Sequence, residues 1–163
     1  MYERILIPLD GSKVAEVALP YIEELVSKVT PGLEVEVTLF QVVSPLTQQT
    51  VAGVEGAPLH YAATKMEETK KKAMDYLDKA GEGLRSKGAI VKCKVGVGED
   101  AAEEIIKAAD EIDAGFIAMS THGRSGLSRW AFGSVTDRVL RGGNRPVIMV
   151  RAATTGKAKA AVG

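Results

Sequence analysis

The sequence predicts an α/β domain: a mostly parallel sheet with helices on both faces. Three observations predict it. Short apolar runs alternate with amphipathic stretches of helical period along the whole chain, the pattern of repeated strand–helix crossovers. Two of the runs, Arg4 to Leu9 (RILIPL) and Ala114 to Ser120 (AGFIAMS), are apolar without alternation, as strands buried on both faces are. Both of those runs end in polar, glycine-bearing segments, Asp10-Gly11-Ser12 and the stretch that begins at Ser120. A length of 163 residues fits one such domain.

The first strand is cut off by Asp10-Gly11-Ser12, a turn followed by a helix cap. Val14, Ala18, Ile22, Leu25, Val26 and Val29 then recur at helical spacing and make one apolar stripe. Pro20 lies inside that stripe, where it must kink the helix or begin a fresh first turn. Pro31-Gly32 ends the helix. Leu33 to Val43 is rich in β-branched residues and reads as the second strand. Ser44 to His60 is a loop with two glycines and two prolines. It is long for a connection within a domain, and such loops are often lids or mobile edges.

Tyr61 to Lys87 reads as one charged helix with Met66, Ala73, Leu77 and Leu84 inward. Its block EETKKKAMD is a solvated face of charge pairs three or four residues apart. Gly88 closes it. In AIVKCKVGVG, Val91, Cys93, Val95 and Val97 alternate with Lys92 and Lys94. That strand belongs at or near a sheet edge, where lysines discourage stray pairing. Glu99 to Asp113 is a helix with Ala102, Ile105, Ile106 and Ala109 inward. After the fourth strand and its loop, a helix runs from Ser134 to Leu140, halted by Gly142-Gly143, and Pro146 to Val150 is the last strand. Residues 152–163 are low in complexity and read as a fraying, flexible C-terminal tail, which leaves 1–151 as the domain.

Composition narrows the function. Lys plus Arg and Asp plus Glu both number 21, so net charge gives no reason to expect nucleic acid or an anionic membrane as partner. One cysteine, Cys93, excludes an intrachain disulfide. With only His60 and His122 beside it, a Cys/His metal centre is disfavoured. Cys93 sits on the apolar side of its strand and reads as a buried, inert thiol. No apolar run reaches the length of a membrane span and MYERILIPLD lacks the form of a signal peptide, so the expected location is the cytoplasm.

The chemistry gathers in Ser120 to Thr136, STHGRSGLSRWAFGSVT. The stretch runs from the end of a buried strand to the start of a helix. In open α/β sheets ligands bind outside the carboxyl ends of strands, where the strand order reverses. Gly123, Gly126 and Gly133 permit tight turns and close backbone approach. Gly133 precedes Ser134, read as an N-cap, and Asp137 three residues later completes a capping box. Free amides at a helix N-terminus favour a bound phosphate, and Arg124 and Arg129 can add countercharge. The same features also suit a plain strand-to-helix connection, so on physics alone the two readings stand level. No GxxxxGK[ST] run is present, which disfavours a P-loop. No GxGxxG follows the first strand, which argues against a dinucleotide fold.

These residues resemble the universal stress protein family, whose ATP-binding-motif subclass ends its fourth strand with G-x-x-G, nine residues, then G-[ST]. Here Gly123, the nine residues Arg124 to Phe132, and Gly133-Ser134 keep that spacing. The flanks ILIPLDGS, MSTHGRSGLSRWAFGSVTDRVLR and RPVIMVR match as well, over roughly residues 1–151. Ser120 departs from the pattern: it stands at the first motif glycine, adding a Cβ where the ribose or the adjoining phosphate would approach. The resemblance implies a single doubly wound, adenine nucleotide alpha hydrolase-like sheet of five parallel strands in the order 3-2-1-4-5. In that order the first and fourth strands are neighbours, and LDGS faces STHG across a crevice.

The resemblance further implies a bound adenine nucleotide, ATP with or without Mg2+, and a role for each matching residue. Asp10 would accept hydrogen bonds from the adenine or ribose edge, above a floor of Pro8 and Leu9. Val42 would contact adenine, and Met119 would lie near the base and ribose. Ser120 and Gly123 would line the ribose and the first phosphates, with Arg124 as countercharge. Gly133, Ser134, Val135 and Thr136 would offer amides and two hydroxyls to the phosphates. Read without the resemblance, Asp10 suits an Asx turn with Ser12, Val42 and Met119 suit a core, and Ser134 caps its helix in either case. His122 lacks a nucleophile or metal partner and is not read as catalytic. His60 reads as a surface residue, and Trp130 and Phe132 pin their loop or form a contact patch.

Three functions fit this reading. The first is a nucleotide-binding regulator with a stress-response role. Asp10 and Asp137 are the only carboxylates near the loop and no base–nucleophile pair is present, so slow ATP hydrolysis is the most to expect. The second is an adenylating enzyme of the pyrophosphatase type, disfavoured because LDGSKVA lacks the double glycine and second acid of an SGGxDS-like loop. The third is a nucleotide-free interaction module of the same fold, against which Gly123 and Gly133-Ser134 speak and for which Ser120 speaks weakly. The resemblance also implies a homodimer paired through Pro146 to Val150, an apolar edge strand that invites pairing.

Overall fold

Ile5, Leu6 and Ile7 are consecutive and all three are fully buried, which a pleated strand permits only where both faces of its sheet are covered. The computed structural model of the chain describes residues 2–29, 32–45, 59–121 and 133–151. Within them β1 (Tyr2–Pro8), β2 (Glu34–Val43), β3 (Ile90–Val97), β4 (Phe116–Thr121) and β5 (Val147–Arg151) form one parallel sheet in the order β3-β2-β1-β4-β5. α1 (Ala18–Ser27), α2 (Leu59–Ala80) and α3 (Glu82–Ser86) cover one face. There Ile5, Ile7, Leu39, Ile22, Leu77 and Leu84 share a core. α4 (Ala101–Glu111) and α5 (Ser134–Gly142) cover the other, over Leu6, Phe40, Ile105, Ile117 and Val139.

The strand order reverses between β1 and β4. The chain winds outward from β1 through β2 to β3, returns to place β4 beside β1, and ends on β5. The helices that follow β1 and β4 lie on opposite faces, α1 on one and α5 on the other, with a crevice at the carboxyl end of the sheet. β3 takes an edge, as its lysines predict, and Lys92 Nζ pairs with the buried Glu36 at 2.6 Å. Cys93 is half-buried and desolvation pushes its thiol up, in keeping with an inert group.

Two local expectations are corrected, and one of two alternatives is met. The long helix expected from Tyr61 to Lys87 is two, joined at Gly81, where a Cβ would stand 2.8 Å from Val91 Cγ1 and 3.2 Å from Leu39 Cδ1. Pro20 takes the second of its two expected roles: it sits in the first turn of α1, after a 3-10 turn over Ala15–Val17, where its missing N–H costs no helical bond. The last helix runs on to Gly142. The opposite, amino end of the sheet is stapled by Arg145. Its Nε donates to Asp110 Oδ1 at 3.0 Å, and its Nη1 donates to Asp113 Oδ1 at 2.7 Å and to Ala114 O at 3.1 Å. Among the described residues no helix is long and apolar enough to cross a membrane. Residues 46–58 of the long loop and the tail 152–163 lie outside the described residues.

Candidate functional site

The site is built where β1 stops. Pro8 has no N–H to give, and the ladder resumes one residue later, with Leu9 N donating to Phe40 O at 2.8 Å. The chain then turns on its own side chains. Ser12 N donates to Asp10 Oδ1 at 2.9 Å, and Ala15 N donates to Ser12 Oγ at 3.2 Å. Gly11 between them has φ +84°, in the left-handed region that only glycine enters without strain. The Asx turn is therefore formed, and Asp10 Oδ2 has no partner among the described residues. Beyond it, Tyr76 on α2 donates its hydroxyl to Glu16 Oε1 at 3.1 Å. Burial, with the Glu16 carboxylate beside it, pushes that hydroxyl up to about 12. Hydrogen bonding to Lys13 holds the Glu16 carboxyl below its ordinary range.

From β4, Ser120 Oγ donates to Ala15 O at 3.0 Å, which joins the end of one central strand to the segment leaving the other. Two helices begin nearby. α4 is capped by Asp100, whose Oδ1 accepts from Ala102 N at 3.1 Å and Glu103 N at 3.3 Å. Arg138 of α5 pairs with the same carboxylate. Desolvation works to raise the Asp100 carboxyl, but the Glu103 amide and Arg138 outweigh it and hold the group below its usual range.

α5 begins differently from the capping box expected at Ser134. The first helical bond is Asp137 N to Gly133 O at 3.0 Å, so Gly133 is the N-cap and Ser134 the first helical residue. Among the described residues no side chain caps this end. Asp137 does not reach back, because Arg141 one turn on takes its carboxylate, with Nε donating at 3.0 and 2.9 Å. The amides of Ser134, Val135 and Thr136 thus precede the helical ladder with no acceptor side chain among the described residues.

These pieces surround a cavity of about 300 Å3, at the lower end of the sizes that hold small-molecule ligands. Pro8, Leu9 and Asp10 line it from β1 and its turn, and Val42 from β2. Met119 and Ser120 line it from β4, and Gly133, Ser134, Val135 and Thr136 from the start of α5. Gly123 and Arg124, together with His122, Gly126, Arg129, Trp130 and Phe132, lie outside the described residues. Sequence reasoning missed Ser12, Val14, Ala15, Phe40, Ala101 and Ile105, which also line the cavity. Phe40 was within reach of it, since it shares a face of β2 with Val42 two residues on. Ala101 and Ile105 likewise stand one helical turn apart on α4. Among the described residues no group of three or more His, Cys, Asp or Glu could hold a metal ion.

Comparison with known proteins agrees with this geometry. The model of the universal stress protein family matches residues 1–151. Universal stress protein MJ0577 of Methanocaldococcus jannaschii is 30% identical, over 93% of this chain and 96% of its own. The solved structure of MJ0577 superposes with a TM-score of 0.74 at 27% identity, covering 95% of this chain and 99% of that one. Universal stress protein YxiE of Bacillus subtilis is 28% identical over 93% of this chain and all of its own length, 100%. The universal stress protein of Archaeoglobus fulgidus solved in complex with dAMP has a TM-score of 0.55 at 25% identity, covering 91% and 97%.

Proposed function

We propose that the chain, which belongs to the universal stress protein family, holds an adenine nucleotide such as ATP in this cavity and serves as a stress-related binding protein. The observation that carries the reading is the start of α5, where three amides that no described side chain caps stand at the rim of a largely apolar cavity. A helix N-terminus of this kind attracts phosphate through its free N–H groups and its dipole. The lining also suits a base: Leu9, Phe40, Val42, Ile105 and Met119 are apolar, and Asp10, Ser12 and Ser120 add polar groups. That a related universal stress protein is found with dAMP supports adenine nucleotide as the ligand class.

In this reading the chain binds the nucleotide without efficient turnover. Asp10 Oδ1 accepts the Ser12 amide and Asp137 is held by Arg141, so the described residues build no Mg2+ site. Mg2+ accompanying ATP would supply charge neutralisation at the phosphates. No described residue pairs a general base with an activated nucleophile. The folding unit in this reading is 1–151, with 152–163 a dispensable tail, and the compartment the ligand calls for is the cytoplasm. We also place a homodimer at β5. It ends the sheet order, and Val147, Ile148, Met149 and Val150 are only half-buried there, a strand edge that a second copy would cover.

The test is direct. The purified protein is denatured, released nucleotide is identified by mass spectrometry, and ATP is titrated into the stripped wild type and Gly133→Val. Gly133 has φ −55° and ψ 150°, open to any residue, and a Cβ there meets no described atom within 4 Å. The variant therefore keeps the fold while its side chain occupies the phosphate position. Stoichiometric adenine nucleotide in the wild type and none in the variant is the expected result. A wild type that binds no nucleotide at millimolar ATP would overturn the reading.

A further inference from the structure

The strip from Asp10 to Val17 gives Asp10, Ser12, Val14 and Ala15 to the cavity wall, yet it contains only a turn and three residues of 3-10 helix. Short 3-10 pieces are weakly held by their own bonds. Two hydrogen bonds from distant elements hold this one. Ser120 Oγ on β4 donates to Ala15 O at 3.0 Å, from 105 residues away, and the Tyr76 hydroxyl on α2 donates to Glu16 Oε1 at 3.1 Å. The Ser120 hydroxyl proton is therefore engaged with protein, which leaves only its lone pairs to a ligand.

We propose that Ser120 is a positioning residue of the nucleotide site: its hydroxyl latches Ala15, and with it the whole Asp10–Val17 wall, to the end of β4, while Tyr76 fastens the same wall from α2. This inference rests on the cavity being a nucleotide site. An unlatched wall must be ordered when ligand binds, and that ordering is subtracted from affinity. One neutral hydrogen bond sets the scale, about five- to tenfold in Kd. The competing idea is that the Ser120 Cβ simply crowds the ligand, and the two predict opposite signs for Ser120→Gly.

The experiment titrates ATP into wild type, Ser120→Ala, Ser120→Thr, Ser120→Gly and Tyr76→Phe, each verified as folded by its melt, and follows hydrogen exchange of residues 12–17 in the free proteins. Ser120→Ala is expected to raise Kd about five- to tenfold and to speed exchange at Ala15, Glu16 and Val17. Ser120→Thr, which keeps the hydroxyl, restores both to within about twofold of wild type. Tyr76→Phe moves both the same way by less. Unchanged ATP affinity in Ser120→Ala, or tighter binding in Ser120→Gly, overturns the inference and leaves the nucleotide reading standing. A wild type that binds no adenine nucleotide overturns both, even where exchange still reports the latch.

Discussion

Two helices open on the same cavity and treat their exposed amides in opposite ways. α4 brings its own anion: Asp100 accepts from two amides of the first turn and pairs with Arg138. α5 brings none among the described residues: its cap is Gly133, and Asp137 is taken by Arg141. Both ends carry the same partial positive charge from the peptide dipoles. The difference lies in who neutralises it. At α4 the chain does so itself and gains a brace between two helices. At α5, in the proposed function, a bound phosphate would do so. The amino end of the sheet repeats the first solution, with Arg145, Asp110 and Asp113 spent on one another.

Making α5 resemble α4 breaks the comparison most severely. Gly133→Asp gives α5 a carboxylate cap, and a Cβ at that position meets no described atom. The free protein should melt a few degrees higher, since a good cap stabilises by about 1 kcal/mol and that is roughly 2–4 °C in a chain of this size. ATP affinity should fall at least about a hundredfold, because the new charge takes the amides and repels the phosphates. Calorimetry and a thermal melt read both effects. A variant that melts higher and still binds ATP would remove the phosphates from α5.

The reverse change is smaller. Asp100→Ala uncaps α4 and should lower the melting temperature by roughly 2–4 °C, while ATP binding stays within about threefold of wild type, a change under 1 kcal/mol. Loss of ATP binding comparable to that of Gly133→Asp would show that the two ends are not separate devices.

Much of this was legible in the sequence, and what was not has common physical causes. Runs such as RILIPL announce strands covered on both faces, because no single-faced strand keeps apolar residues at every position. Lys92 and Lys94 announced an edge strand, which β3 is. The break at Gly81 was hidden, since it is set by how closely α2 and α3 approach Val91 and Leu39. The cap of α5 was misread for a related reason. Ser134 with Asp137 has the spacing of a capping box, but Arg141 competes for the same carboxylate at a spacing the pattern does not examine. Asp100 and Arg138 are distant in sequence and meet only once α4 and α5 are packed on the same face.

pH sharpens the comparison with less force. The Asp100 carboxyl is held below its ordinary value near 3.8. A depressed acid contributes stability that is complete above the unfolded value and is lost as pH falls through the lower, folded one. Asp100→Asn, which can still cap α4, should therefore melt below wild type at pH 7, and the gap should close as the pH is lowered beneath 3.8. A gap that persists in acid would mean that the Asp100 charge is not what braces α4 to α5.

Tyr76 gives the smallest effect, at the other end of the scale. Its hydroxyl is pushed up to about 12 from 10.0, so the folded state favours the neutral phenol. That contribution is complete below pH 10 and is lost as pH rises towards 12. Absorbance at 295 nm should show a tyrosinate step near pH 12 that Tyr76→Phe removes. A step that disappears near pH 10 instead would deny the contact between Tyr76 and Glu16.

The most direct test of the central claim observes the amides themselves. Backbone 15N–1H spectra of the stripped protein are recorded with added adenosine and then with ATP, following Ser134, Val135 and Thr136 on α5 and Ala102 and Glu103 on α4. ATP should move the three α5 amides strongly where adenosine leaves them nearly unmoved, and the two α4 amides, already bonded to Asp100, should change little with either. Saturating ATP that shifts other residues and leaves Ser134, Val135 and Thr136 in place would contradict the account.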